Sequence, residues 1–206
     1  MILLALLWIG WCALHSLLIS APLNHWVQRR GGFSAGAHRL LYVGFSFISL
    51  VPVLGYQFSL DEQLLFTWHG WWRILQGVLL FYAATMFYSG SKVYDSGYFL
   101  GISQWKNYRQ GYSPQPLPFS SKGVLQYVRH PWYSGSLAFI WAMGPITDVR
   151  LLVCTILTLY LIIGTLLEER KLVAQIGEPY RLYCSLVPML IPWKGKVTIS
   201  NDMFGQ

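Results

Sequence analysis

Two short stretches of this sequence gather the side chains that could do chemistry. The first is Gly123-Val-Leu-Gln-Tyr127-Val-Arg129-His130-Pro131-Trp132-Tyr133-Ser134-Gly135. Pro131 suits the first position of a helix, where its missing N–H costs nothing, so His130 would stand at that helix's mouth. The unsatisfied N–H groups of such a mouth attract a carboxylate. Arg129 adds a fixed positive charge, and Tyr133 and Gly135 would let a flat ligand approach closely. An equally open reading has the Arg, His and aromatic side chains anchoring a helix end among lipid headgroups. The second stretch is Leu166-Leu167-Glu168-Glu169-Arg170-Lys171-Leu172, at the end of a long apolar run. Carboxylates are disfavoured near a helix C-terminus, and glutamates at a membrane boundary are functional candidates. Adjacent residues point about 100° apart on a helix. One glutamate can therefore face a bundle while the other pairs with Arg170 or Lys171. A solvated charge cluster ending a span is the alternative.

The elements that must position these residues follow from composition. The 206 residues are 54% hydrophobic and 11% charged, against about 25% charged in soluble domains, so lipid is the main solvent. Five apolar segments stand out, at roughly 2–20, 38–58, 71–90, 131–146 and 149–167. About 20 apolar residues cross the hydrocarbon, and four of the five meet that length. The fourth is shorter and begins and ends at proline, Pro131 and Pro145. The expectation is an all-α, polytopic integral membrane protein with about five transmembrane helices. It forms a single membrane domain: a three-helix part over 1–90, a cytoplasmic connecting segment over 91–130 and a C-terminal part over 131–206. The first segment lacks a basic n-region, and Pro22 sits where a signal peptide would be cleaved, so it reads as a retained helix.

Thirteen of the fifteen basic residues fall in alternate loops, leaving Arg73 and Arg150 on the other side beside Asp61, Glu62 and Asp148. The positive-inside rule then puts the N-terminus out and the C-terminus in the cytoplasm, in a multi-pass protein of the cell inner membrane. The net charge of +7 is scattered rather than gathered in a stripe, which excludes nucleic acid as a partner. Cys12, Cys154 and Cys184 form no CxxC pair, so neither a disulfide framework nor a metal site is expected. No internal repeat is visible, which weighs against a transporter. The connecting segment carries the run SPQPLP at 113–118 together with Tyr98, Phe99, Trp105 and Tyr108; a connection of that length is functional or disordered. His15 lies in mid-span and is either functional or a neutral hydrogen-bonding residue. Trp68, Trp71 and Trp72 read as an interfacial belt.

Beyond position 176 the sequence continues Gly177-Glu178-Pro179-Tyr180-Arg181-Leu182-Tyr183 and Val187-Pro188-Met189-Leu190-Ile191-Pro192. The ordered set Gly-x-x-x-Tyr-Val-Arg-His-Pro-x-Tyr, Glu-Glu-x-x-Leu, Gly-x-x-Tyr-x-x-Tyr and Val-Pro-x-x-x-Pro resembles the isoprenylcysteine carboxyl methyltransferase superfamily. It most resembles the bacterial branch of NnrU-like proteins and methanethiol S-methyltransferases. The segment Asp95-Ser-Gly-Tyr-Phe-Leu100-Gly101-Ile-Ser-Gln104-Trp and the pair His15-Ser16 also look like that branch. The resemblance covers roughly 92–193 well and 1–90 loosely. It implies S-adenosylmethionine as cofactor, with Leu100, Gly101 and Gln104 contributing to its pocket, Gly123 and Tyr127 leading into it, and His130 and Tyr133 in contact. It also implies that Glu168 or Glu169 accepts the cofactor ammonium, and that Tyr180 and Tyr183 help close the cytoplasmic side. The carboxyl methyltransferases carry an arginine about a turn before the glutamate pair. Residues 163–167 here are Ile-Gly-Thr-Leu-Leu, so a neutral or thiol nucleophile is implied instead of a carboxylate.

Methyl transfer from a sulfonium is an in-line displacement with a neutral leaving group, and it demands positioning more than acid–base help. Arg109 or His130 could raise the thiolate fraction of a thiol acceptor, and with Glu169 they form the candidate catalytic set. The acceptor would be small and hydrophobic or lipid-like and reached from the bilayer, with membrane lipids as the other partners. Two rivals belong to other classes: a non-enzymatic NnrU-like membrane protein in nitrogen-oxide metabolism or cofactor assembly, and a small transporter.

Overall fold

The computed structural model describes residues 1–30, 32–112 and 120–197; the run at 113–118 lies outside them. The chain divides into two compact units, Met1–Gln63 with Asp95–Pro118, and Leu64–Tyr94 with Phe119–Gln206.

In the first unit, α1 (Ile2–Ile19), α2 (Ala21–Arg30) and α3 (Gly32–Phe58) pack on one another. The stretch after the first apolar segment is thus helical rather than a loop, and Pro22 falls in the first turn of α2, where proline is tolerated. Two short helices, α5 (Ser96–Leu100) and α6 (Ile102–Arg109), lie on α3. Part of the polar connecting segment is therefore ordered, for local reasons. Asp95 caps α5 by accepting from the Tyr98 N–H at 3.0 Å, and Gly101 turns the chain at φ 87° between the helices. A Cβ at position 101 would stand 2.6 Å from the Leu40 backbone nitrogen, so glycine is required by conformation and by space.

In the second unit, α4 (Trp72–Val93) packs along α7 (Pro131–Ala142), and α7 meets α8 (Asp148–Ile176), which carries α9 (Glu178–Leu186). A two-stranded antiparallel pair, β1 (Leu64–Phe66) and β2 (Ile146–Thr147), closes one end. Thr147 caps α8 by accepting from the Arg150 N–H at 3.0 Å. The α4–α7 seam is built from small residues: Gly90 admits the Trp132 indole, and a Cβ on Gly135 would come within 3.0 Å of the Met86 Cβ. Backbones approach closely in lipid by this means.

Among the described residues, four helices are long and apolar enough to cross a membrane: α1, residues 37–58 of α3, α4 and α8. The expected fifth, α7, has 12 residues, about 18 Å of helix against a hydrocarbon core of about 30 Å. The segment around it nevertheless runs antiparallel to α4 over the whole of that helix. At one end the Tyr94 hydroxyl donates to the Arg129 carbonyl at 3.4 Å, and at the other Trp68 Nε1 donates to the Gly144 carbonyl at 2.9 Å. Ending a helix here frees its last carbonyls. They are met by side chains: Gln76 Nε2 bonds the Ala142 carbonyl at 2.8 Å, and Arg150 Nη2 bonds that of Ile140 at 2.8 Å.

A Gly135→Val variant should overpack the α4–α7 seam, at a cost of about 1–3 kcal/mol, and lower the detergent-solubilised melting temperature. Gly77→Ala is the control, because nothing lies within 4 Å of its added Cβ and the change removes backbone freedom from the unfolded chain. Equal melting temperatures for both would contradict the seam's close packing.

Candidate functional site

The residues singled out in the C-terminal half come together around α7 and α8 in the second unit. Pro131 takes the first helical position of α7 and His130 its N-cap. Glu168 and Glu169 lie inside α8, which continues to Ile176. They are therefore not at a helix terminus as expected, and the macrodipole there does not act on them. Nor is Arg170 or Lys171 the partner of either. The long apolar run ends near 167, but the helix outlasts it because Leu172, Val173 and Ile176 beyond the charged residues pack against α9.

Glu169 is gripped from two sides. Arg129 donates from Nε to Oε1 at 2.5 Å and from Nη2 to Oε2 at 2.9 Å, and His130 Nε2 lies 3.1 Å from Oε1. Nη1 of Arg129 goes to the carbonyls of Cys184, at 2.7 Å, and Val187. Arg129 and His130 are 9% and 6% exposed, and the Glu169 side chain is 15% exposed. Glu168 points to the other side of His130, its Oε2 3.9 Å from Nδ1, with 43% of its side chain open. The His130 and Tyr133 rings stack at 5.6 Å and 10° between planes, a flat surface beside the more open carboxylate. Sequence reading gave Arg129 a positive charge for a ligand; its guanidinium is instead committed to Glu169 and two carbonyls.

Beneath these residues the C-terminal segment is laced to the strand of chain before α7. The Arg129 and His130 N–H groups donate to the carbonyls of Pro188 and Met189 at 2.9 and 3.1 Å. Ser134 donates to the Leu190 carbonyl and lies 2.5 Å from the Tyr82 hydroxyl. Tyr180 and Tyr183 are buried with Val187, so they act as core, and Tyr183 donates to the Leu125 carbonyl at 2.7 Å. Burial pushes both phenols well up, with the Glu169 carboxylate adding to the effect, and keeps them protonated donors. Burial also pushes the Cys184 thiol up, against the opposing charge of Arg129, so it is no thiolate. Gly123 opens the preceding 3₁₀ turn (Gly123–Gln126) at φ 63°, with its Cβ direction facing Val93, and Tyr127 follows, 40% exposed.

Leu100, Gly101, Gln104 and Arg109 belong to the first unit. Arg39 on α3 holds their segment, donating from Nε to the Phe99 carbonyl at 2.9 Å. Gln104 Nε2 donates to the Tyr98 carbonyl at 2.9 Å, while its buried Oε1 has no hydrogen-bond partner among the described residues. Arg109 is exposed in the last turn of α6. Two clefts are described, one lined by Leu18, Trp26 and Tyr42 among others and one by Trp68, Arg73 and Gln76 among others; neither is lined by His130, Glu168 or Glu169. His15 makes contacts that helix spacing alone could not reveal. Tyr42 and Ser46 on α3 both hydrogen-bond its ring, as the reading of a residue that hydrogen-bonds a neighbouring helix expects.

An Arg129→Leu variant leaves Glu169 buried without its guanidinium and should destabilise the protein by about 3–5 kcal/mol. The double variant Arg129→Leu/Glu169→Leu removes the orphaned charge and should melt higher than the single one. A double variant no more stable than Arg129→Leu would refute the pair as the clamp.

Comparison with known proteins places this arrangement. The chain is 32% identical over 191 residues to methanethiol S-methyltransferase of Crocosphaera subtropica, covering 84% of this chain and 71% of that protein. It is 37% identical over 97 residues to methanethiol S-methyltransferase 1 of Bradyrhizobium diazoefficiens, covering 47% and 34%. With methanethiol S-methyltransferase of Pseudomonas deceptionensis it shares 33% over 125 residues, covering 61% and 43%. The match thus spans less than half the length of two of these three relatives. No protein-family model and no solved structure matches the chain. The Crocosphaera match runs through both described units, and the chain belongs to the methanethiol S-methyltransferase branch of the isoprenylcysteine carboxyl methyltransferase superfamily, a family of methyltransferase enzymes.

Proposed function

We propose that this protein is an integral membrane, S-adenosylmethionine-dependent methyltransferase of the cell inner membrane that methylates a small hydrophobic or lipophilic thiol. The observation that carries the reading is the division of labour between adjacent glutamates. Glu169 is saturated by Arg129 and His130, while Glu168 keeps an open carboxylate beside His130. Glu168 is the group to receive the cofactor ammonium, by a charge-assisted hydrogen bond. The stacked His130 and Tyr133 rings offer a face to a flat or cationic group. In the first unit, Gln104 Oε1 offers a buried acceptor to an amino group, and the turn at Leu100 and Gly101 carries it. When bound, the cofactor supplies an electrophilic methyl group on sulfur. Arg109 is not needed in this scheme, and His130, held by Glu169, positions rather than deprotonates.

The relatives named methanethiol S-methyltransferase support a thiol acceptor, as does the absence of arginine at 163–167. They favour an enzyme over a non-enzymatic NnrU-like role or a transporter. The basic loops support an outward N-terminus and a cytoplasmic C-terminal half. The fifth crossing is then α7 continued by residues 143–147, which together reach along α4.

Calorimetry of the purified, detergent-solubilised protein should detect S-adenosylhomocysteine binding, and headspace analysis should detect dimethyl sulfide made from methanethiol. Glu168→Gln should weaken cofactor binding about tenfold or more with little change in melting temperature. Glu169→Gln should lower the melting temperature as well. Absence of cofactor binding in the wild-type protein ends the enzyme reading; unchanged affinity in Glu168→Gln ends the assignment of that residue.

A further inference from the structure

Arg73 carries a charge that no carboxylate balances among the described residues. It stands exposed in the first turn of α4. Its Nε donates to the Trp68 carbonyl at 3.3 Å, and Trp68 is itself tethered, since its Nε1 donates to the Gly144 carbonyl at 2.9 Å. The guanidinium is therefore aimed by the backbone of a fixed residue. Among the described residues no acceptor meets either of its Nη nitrogens, so their four hydrogens are open to an acceptor from elsewhere.

The guanidinium lines a cleft of about 550 Å³ within the second unit. Positions 73, 76, 77 and 80 of its wall fall at i, i+3, i+4 and i+7, the spacing of one helix face. Along that face the lining passes from Arg73 and Gln76 to Gly77 and Leu80, from charge to hydrocarbon over about 10 Å of helix. Thr67, Trp68 and Pro145 complete the wall, and no carboxylate lines it. Gly77 keeps the face open, because no atom lies within 4 Å of where its Cβ would stand. Since α4 is long and apolar enough to cross a membrane, its first turn lies at headgroup depth. Trp71 and Trp72, 86% and 51% exposed, mark that level. At about 30 Å³ per water-sized group, the cleft has room for roughly eighteen non-hydrogen atoms, the size of a glycerophosphate with the first methylenes of a chain.

We propose that this cleft binds a phospholipid, its phosphodiester on the Arg73 guanidinium and one acyl chain laid over Gly77 towards Leu80. A phosphate offers two oxygens to the two Nη groups, a planar match that arginine makes and lysine does not. The polar end of the cleft alone would serve a soluble phosphate; the apolar continuation of the same helix face selects a lipid. The site lies at the opposite end of α4 from His130, because Trp68 meets Gly144 at one end and Tyr94 meets Arg129 at the other. It is therefore separate from the residues given to the cofactor, and it stands whether or not the methyltransferase reading does.

The test uses the full chain, purified in a maltoside detergent and stripped of lipid, with dioctanoyl phosphatidylglycerol as the probe. Native mass spectrometry should show one lipid retained per chain, and the melting temperature should rise on its addition. Dioctanoylglycerol, which lacks the phosphate, and inorganic phosphate, which lacks the chains, should produce neither effect at the same concentration. Arg73→Ala should weaken binding about tenfold, and Arg73→Lys should restore only part of the loss. Gly77→Leu, which fills the open face, should weaken binding with Arg73 intact. A lipid-free melting temperature near that of the wild type shows that a variant is folded; if Arg73→Ala fails this check, Arg73→Lys and Gly77→Leu carry the test. An equal response to inorganic phosphate would make this a free-anion site, and an equal response to dioctanoylglycerol a groove without headgroup contact. Either result, binding unchanged in folded Arg73→Ala or in Gly77→Leu, or no retained lipid in the wild type overturns the proposal.

Discussion

Arg129 is buried, charged and fully used, and the C-terminal half is organised around the cost of hiding that charge. A guanidinium taken out of water costs several kcal/mol unless its donors are met and its charge is balanced. Two of its nitrogens form a fork onto Glu169 and the third reaches the carbonyls of Cys184 and Val187. One side chain thereby ties the entry to α7, the inner face of α8 and the end of α9. The parallel bonds from the Arg129 and His130 N–H groups to Pro188 and Met189 hold the same junction through the backbone. Lysine could not replace this arginine, since a single ammonium lacks the planar fork that satisfies both carboxylate oxygens.

A second constraint comes from the end of α7. The last carbonyls of α7 have no partner within the helix, and the sequence around it is built to answer them. Gln76 and Arg150 each supply an N–H to a named carbonyl of α7, and Trp68 supplies one just beyond its end. The pairing of β1 with β2 completes the exchange where the chain becomes extended. Arg150 thus has a structural reason for its place apart from the other basic residues, which a count of charges by loop treats as a mere exception.

The long apolar helices, the proline start of α7 and the pairing of His130 with a glutamate are all legible in the residues, because each depends on local composition or on a motif of fixed order. Three features were not. The continuation of α8 past residue 167 depends on Leu172, Val173 and Ile176 packing against Tyr180, Tyr183 and Val187, a tertiary effect that the charged run at 168–171 conceals. The partner of Glu169 lies 40 positions away, and Arg170 and Lys171, the nearer cations in sequence, do not reach it. His15 and Tyr42 meet only because α1 and α3 pack. The signal available was Tyr42 and Ser46 spaced four apart on an otherwise apolar helix, a polar face that matches a histidine in mid-span.

Adjacent glutamates on one helix diverge by about 100°, and that divergence gives the two carboxylates different surroundings. A single carboxylate could not satisfy Arg129 and also keep an oxygen open, since its lone pairs are taken by the fork and by His130. Placing the second carboxylate one residue earlier moves it to the opposite flank of the same imidazole, where it remains partly open to solvent. His130 then stands between a carboxylate that is spent and one that is available. Its ring plane is set by the first and by the stack on Tyr133. The buried ion pair therefore reaches beyond its own two residues: it fixes the imidazole beside which Glu168 and the Tyr133 ring lie.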